Sequence, residues 1–453
     1  MANPNLSDRG GFGSKFGIIA AAAGSAIGLG NIWRFPYIAG QNGGGAFLLI
    51  NLACIVLIGI SLMLSEFVIG RCAQRNAYGS FKKLAPGTPW FLVGFMGVVA
   101  AFVILSFYST VAGWTMEYVY QSFANGFAGK TPEGLQSMFG DFMGNSWRAV
   151  GWQILFMILT AGIVLAGVKK GIEKYAKLLM PILLVLILIL CIRAITLPGA
   201  IDGLEFLFKP DFSKVNGRVI LEALGQAFFS LSIGMGALIT YGSYISKKDN
   251  LTSSAVIVSF ADTLIAILAG VAIFPAVFAF GINPAEGPEL VFITLPNIFL
   301  QMPGGYYFSI LFFVLLAVAA LTSSISVLEV VVAYFVEETG LKRKNATWIA
   351  AISITAIGVL CTLSQGLVPW LNIRGMNLFD IMDFSSSKIL LPFGGFLIVL
   401  FIGWVMKPAD VAAEISNDGK LKLPLFKVYL IIVRFVAPVA IALVFLYSIG
   451  IIG

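Results

Sequence analysis

The chain has 453 residues, 59% of them hydrophobic and 11% charged, with a formal net charge of +7 and no histidine. Such a composition belongs to a polytopic membrane protein rather than a large soluble one. The missing histidine excludes His-ligated metal centres, imidazole proton relays and Ser–His nucleophiles, and basic residues facing the cytoplasm explain the positive charge without nucleic acid.

In chain order, Met1 to Gly13 are polar and Gly-rich, and the first apolar run is too long for a signal h-region, so no cleavable signal peptide is expected. Eleven apolar segments are long enough to span a bilayer: 16–40, 46–69, 90–124, 149–167, 172–194, 219–245, 252–281, 305–338, 347–365, 376–406 and 424–451. Lys and Arg collect in alternate connections, at Arg71 to Lys83, Lys169 to Lys177, Lys247 and Lys248, Lys342 to Lys344, and Lys407 to Lys422, with Arg9 and Lys15 on the same side. That bias predicts a multi-pass protein of the inner (plasma) membrane with its N-terminus cytoplasmic. An odd number of spans puts the C-terminus outside. Cys54, Cys72, Cys191 and Cys361 lie in or at the ends of apolar runs and read as free thiols. The connection Gly281–Gly304 holds four prolines and the apolar stretch Leu290–Leu295, which predicts a lid folded back over the outer mouth and a tight turn at Pro303-Gly304.

Within the first segment, Ala21–Asn31 carries Gly24, Gly28 and Gly30, each costing a helix roughly 1 kcal/mol against Ala. The stretch reads either as a small-residue packing face or as a place where the helix opens and a bound ion or polar solute satisfies the bare backbone. Ile27-Gly28-Leu29-Gly30 recurs as Ile233-Gly234-Met235-Gly236 in the sixth segment. Paired Gly interruptions in corresponding places of two halves point to a transporter site built from broken helices. The fold predicted is therefore an all-α membrane protein, a single transporter domain over 1–453. It has eleven transmembrane helices in a 5+5 inverted repeat, about 9–198 and 212–408, with broken helices 1 and 6 and an appended helix at 424–451.

Longer motifs then become specific. Asn31-Ile32-Trp33-Arg34-Phe35-Pro36-Tyr37 followed by Asn42-Gly43-Gly44-Gly45-Ala46-Phe47, Gln226 to Ser232, Leu321-Thr322-Ser323-Ser324, and Asp380-Ile381-Met382-Asp383-Phe384 are collinear from about Arg9 to Pro408. The chain resembles the neurotransmitter:sodium symporter family (LeuT-like fold), especially bacterial hydrophobic amino-acid transporters with eleven helices. The resemblance implies two Na⁺ ions. One would be held by Ala26, Asn31, Ser230, Asp262 and the substrate carboxylate. The other would be held by carbonyls of Gly24, Ile27 and Ala319 with Thr322 and Ser323. Without it, the hydroxyls of Thr322 and Ser323 read as helix back-bonding groups.

Asp262 stands where many relatives carry a neutral residue. A carboxylate at this depth needs a cation or a proton, and no basic residue is expected in the middle of any span, so Asp262 is expected to make transport chloride-independent. Gly28 stands where monoamine carriers place an Asp, so the negative group beside sodium is expected from an α-amino acid. Its carboxylate is expected at Na⁺, the Tyr108 hydroxyl and the N–H groups of Leu29 and Gly30, and its ammonium at Ala26, Phe229, Ser230 and Ser232. Ile104, Met235, Val327 and Phe229 line an apolar side-chain pocket, with Ser323 at its border. The resemblance implies gates: Arg34 with Asp383 outside, and Arg9 with Glu337 near Tyr244 inside, Glu338 being an alternative and Phe12 standing where relatives often have Trp. It also implies that Gly171 and Pro181 let the inner part of the fifth helix unwind, and that Glu66 bonds backbone near the sixth-helix break. Expected partners are a hydrophobic L-amino acid, sodium and the bilayer. A proton-coupled permease or an amino-acid sensor of the same architecture is the alternative. An intramembrane enzyme is disfavoured, since paired acids at matched depth occur only at Asp380 and Asp383.

Overall fold

The computed structural model describes residues 11–281, 290–366, 372 and 375–451. Arg9 lies outside them. Nine helices among the described residues are long and apolar enough to cross a membrane. Two shorter pieces, α1 (Lys15–Ala26) and α2 (Gly30–Gln41), meet at 50° and together pass the same test. The nine are α3 (Gly45–Ala73), α4 (Phe91–Phe123), α5 (Ser146–Leu165), α6 (Val168–Ile195), α9 (Leu251–Ala279), α11 (Gly305–Thr339), α12 (Arg343–Ser364), α13 (Leu378–Val405) and α14 (Phe426–Ser448). Their bounds follow the apolar segments to within a few residues, because apolar length sets both.

The expected sixth segment is not one helix. It is α7 (Gly217–Ser230) and α8 (Ala237–Gly242), separated by the irregular stretch 231–236. Ser232, Gly234 and Gly236 in that stretch all have positive φ, at 56°, 86° and 75°, which no right-handed helix accommodates. Glycine is also required at 234 by space, since a Cβ there would sit 2.5 Å from the Leu391 carbonyl oxygen. Glu66, buried in α3, accepts a hydrogen bond from Gly234 N–H at 2.7 Å. The expected role of Glu66 at this break is thus seen directly. Glu66→Leu is expected to destabilise the protein by about 1–3 kcal/mol, the cost of leaving a buried N–H unpaired; thermal melts in detergent would read it.

The connection before α11 folds back onto the helices in its described part, 290–304. Within α10 (Val291–Gln301), Phe292 is fully buried, 5.1 Å from the Tyr118 ring and 5.8 Å from Phe139. Phe292 also meets Trp114 of α4 and Phe313 of α11, so an aromatic cluster seats this segment. Gly304 takes a left-handed φ of 77° immediately before α11, making the tight turn expected at Pro303-Gly304. All four cysteines are free.

Candidate functional site

The break between α1 and α2 begins at Ile27, which leaves the helix with ψ 107° after its N–H reaches the Ala23 carbonyl. Gly28 and Leu29 carry the chain across, and a π-helical turn over Gly30–Arg34 starts α2. Such turns are rare and recur at functional positions. The freed groups find named partners. Gly28 N–H donates to Asn31 Oδ1 at 3.1 Å and Leu29 N–H to the Tyr108 hydroxyl at 3.2 Å. The Gly30 carbonyl accepts from Gln226 Nε2 at 3.1 Å. The Ser25 carbonyl accepts from the hydroxyls of Ser232 at 2.9 Å and Ser323 at 3.2 Å. The two broken rods and α11 therefore converge on one carbonyl.

Asp262, fully buried in α9, faces this break. Asn31 Nδ2 donates to its Oδ1 at 2.7 Å and to Ser230 Oγ at 3.1 Å. Ser230 Oγ donates to both Asp262 carboxylate oxygens, at 3.0 and 2.8 Å. Three of the four protein residues implied for the first sodium are thus in mutual contact, and Ala26 is the last residue of α1 beside them. No ion pair to Asp262 occurs among the described residues. The expectation that no basic residue lies in the middle of any span meets two exceptions, Lys388 well inside α13 and Arg434 well inside α14. Lys388 is tolerated because it faces a polar cavity, and Arg434 because its Nε donates to the Gly403 carbonyl at 2.7 Å.

The second implied set is also gathered. A Cβ on Gly24 would stand 3.3 Å from Thr322 Cβ. Thr322 Oγ1 donates back to the carbonyls of Val318 at 3.2 Å and Ala319 at 3.0 Å, as an ordinary helix hydroxyl does. Ser323 instead reaches across to α1 through the Ser25 carbonyl.

Around Gly28 a side chain would be tight: a Cβ would lie 3.0 Å from both the Tyr108 hydroxyl and Ser323 Cβ. One on Gly30 would meet the Phe229 ring at 3.1 Å. Ile104, Met235 and Val327 are buried. Above Phe229 opens a cavity of about 340 Å³ lined by Arg34, Tyr37, Arg218, Glu222, Asp383 and Lys388, among others. Arg34 lies over the Phe229 ring, 4.2 Å from its centroid. It makes no ion pair with Asp383 within 4.0 Å, although both line the cavity.

At the other end, Phe12 packs edge-on against Tyr241 and Tyr244, with ring centroids 5.6 and 6.2 Å away. Glu337 accepts from Arg75 at 3.2 Å and from the Asn76 N–H at 2.8 Å, while Glu338 pairs with Arg75 at 2.9 Å. The Tyr244 hydroxyl donates to Glu329 at 2.8 Å, and Glu329 is ion-paired with Arg343 at 2.5 Å. Sequence reasoning missed Glu329 and Arg343. Fourteen residues apart on separate helices, they show no local periodic signal, though a Glu inside an apolar run was the available hint. Gly171 also has a role beyond the one implied, because a Cβ there would lie 2.1 Å from the Ile163 carbonyl oxygen.

With this geometry in place, similarity to known proteins adds a family. The sequence matches the model of the sodium:neurotransmitter symporter family over residues 9–133 and 142–452. It is 42% identical over 440 residues to an uncharacterized sodium-dependent transporter of Bacillus subtilis (strain 168), YhdH, covering 97% of this chain and 98% of the relative. It is 37% identical over 453 residues to an uncharacterized sodium-dependent transporter of Haemophilus influenzae, covering 98% of each. Its fold superposes with a TM-score of 0.90 on the crystal structure of MhsT in complex with L-phenylalanine, at 49% identity, covering 97% of this chain and 100% of that one.

Proposed function

The chain belongs to the sodium:neurotransmitter symporter family, and from that premise we propose that this sodium-dependent transporter imports hydrophobic L-amino acids, aliphatic and aromatic, by alternating access and without chloride. The observation that carries the reading is the buried Asp262 carboxylate. It is held by Asn31 and Ser230 beside a helix break where Gly28 brings no side chain and therefore no second negative group. The L-phenylalanine bound to MhsT supports an amino acid as cargo.

Two sodium ions enter as co-transported cargo. Sodium is a hard cation that takes oxygen ligands. At the first site these are the carboxylates of Asp262 and the substrate, with Ser230 Oγ, the Ala26 carbonyl and Asn31. Asn31 contributes its oxygen only if its amide turns, since Nδ2 now faces Asp262. The second ion takes Thr322 and Ser323 with the carbonyls of Gly24, Ile27 and Ala319; Thr322 donates its proton back along the helix and keeps its oxygen lone pairs for the ion. The substrate carboxylate replaces Tyr108 as acceptor for Leu29 N–H, at a half-helix start where the dipole favours negative charge. Side chains of the cargo meet Ile104, Met235, Val327 and the Phe229 ring. The thioether of Met235 adapts to varied shapes, so Leu, Ile, Val, Met and aromatic residues are expected to displace bound leucine, whereas Glu and Lys are not. A displacement assay that ranks Glu or Lys above Leu contradicts the pocket.

Closure outside follows when Arg34 leaves Phe229 and pairs with Asp383. Opening inside requires Phe12, Glu337 and the Glu329–Arg343 pair to part from their neighbours. Eleven spans arranged as two inverted repeats, with a cytoplasmic N-terminus, fit this cycle. Two sodium ions with a zwitterion carry two charges inward. At about 100 mV that supplies about 4.6 kcal/mol, or roughly three decades of accumulation. Uptake into proteoliposomes tests the reading: a sodium gradient is expected to drive concentration of leucine, and equal uptake from a proton gradient without sodium overturns it in favour of a proton-coupled permease.

A further inference from the structure

The inner end of α1 is held by a residue outside every set described so far. Glu173 is nearly fully buried at the end of a π-helical turn, Val168–Glu173, that opens α6. Its Oε2 accepts from Gly13 N–H at 2.6 Å and its Oε1 from Ser14 Oγ at 3.0 Å. Ser14 is the N-cap of α1, and its hydroxyl in turn accepts from Gly17 N–H at 3.1 Å. One carboxylate from α6 therefore completes the capping of α1, where orphan N–H groups and the helix dipole both favour an anion. The fit is close: a Cβ on Gly17 would lie 2.2 Å from Glu173 Oε1. Lys177, one turn on, holds the same oxygen at 2.5 Å.

The turn that carries Glu173 is the weak part of α6. It contains Gly171, it is wound as a π-turn rather than an α-turn, and Pro181 lies inside the helix that follows, leaving the Lys177 carbonyl without its N–H partner. Unwinding there withdraws Glu173 from α1. Gly13 N–H and Ser14 then lose their acceptor together, while Phe12 keeps its packing against Tyr241 and Tyr244.

We propose that Glu173 is a positioning residue for the transport cycle, a latch that ties the inner end of α1 to the inner turn of α6 so that α1 swings only when that turn opens. The inference rests on the alternating-access reading above. It predicts an order of events: α6 opens first, α1 follows.

The test uses full-length protein in nanodiscs, its four cysteines replaced, with spin labels at the exposed positions Lys15 and Lys344. Without sodium, Glu173→Ala is expected to raise the long-distance population about fivefold, the change expected from losing a helix cap, and Glu173→Asp to restore part of the wild-type distribution. Gly17→Ala, which displaces the carboxylate without removing it, is expected to act like Glu173→Ala. Apparent sodium affinity falls in both, while maximal amino-acid binding at saturating sodium stays unchanged. Pro181→Ala is expected to lower the long-distance population in the wild type and to have no effect once Glu173 is Ala. A wild-type distribution in both Glu173→Ala and Gly17→Ala overturns the latch, as does an equal effect of Pro181→Ala in both backgrounds. The latch is judged on variants against wild type without sodium. The transport reading is judged on wild type with against without sodium, so the two fail separately.

Discussion

Gly28→Asp is expected to abolish amino-acid binding in the sodium-loaded protein, a loss of at least about 100-fold. Two effects add. The new Cβ would sit 3.0 Å from the Tyr108 hydroxyl and from Ser323 Cβ, filling the space proposed for the cargo's carboxylate. The new carboxylate also competes with the cargo's carboxylate for the same cation, and two like charges about 4 Å apart repel by about 4 kcal/mol at an effective dielectric constant near 20. Gly28→Ala separates the two effects, with only the steric part and an expected loss of about tenfold. Equilibrium displacement of labelled leucine reads both. Tight binding retained in Gly28→Asp contradicts the proposed carboxylate position.

Asp262→Asn is expected to turn a chloride-independent transporter into a chloride-dependent one. In the wild type, exchanging chloride for gluconate is expected to leave uptake unchanged. In the variant, uptake in gluconate falls at least about tenfold and recovers in chloride. The physical basis is the donor set: Asn31 Nδ2 and the Ser230 hydroxyl both point at Asp262, and groups that hold a carboxylate suit another anion once it is gone. A variant as inactive in chloride as in gluconate indicates that Asp262 does more than supply charge. A wild type that needs chloride removes the premise.

Much of this site was legible because its signals are local. Three glycines within seven residues mark the first break, and the second repeats the spacing of the last two, Gly28 and Gly30, at Gly234 and Gly236. Asp262 stands out as an acid in an apolar run. The shape of the second break was not legible: Ser232 adopts a left-handed conformation that its residue type does not announce, and Gly234 lies against the Leu391 carbonyl of a distant helix. Glu173 with Gly13, 160 residues apart, and Glu329 with Arg343 depend on which helix faces which, and no periodicity carries that. Lys388 escaped because hydropathy averages over a helix, whereas one face of α13 borders a polar cavity. The resemblance implied that Gly171 eases opening, but its close approach to Ile163 shows a packing demand as well. Gly171→Ala would therefore disturb the junction of α5 with α6 rather than simply stiffen α6.

The central claim is that two interrupted helices hold a cation and a zwitterion in one shared coordination shell. Shared coordination obliges the two ligands to help each other equally, since binding linkage is reciprocal. The decisive measurement is a paired titration of purified wild-type protein, leucine against sodium and sodium against leucine, with potassium as the balancing ion. The account predicts that sodium raises leucine affinity and leucine raises sodium affinity by the same factor, on the order of tenfold or more. Leucine affinity that is the same in sodium and in potassium would contradict it.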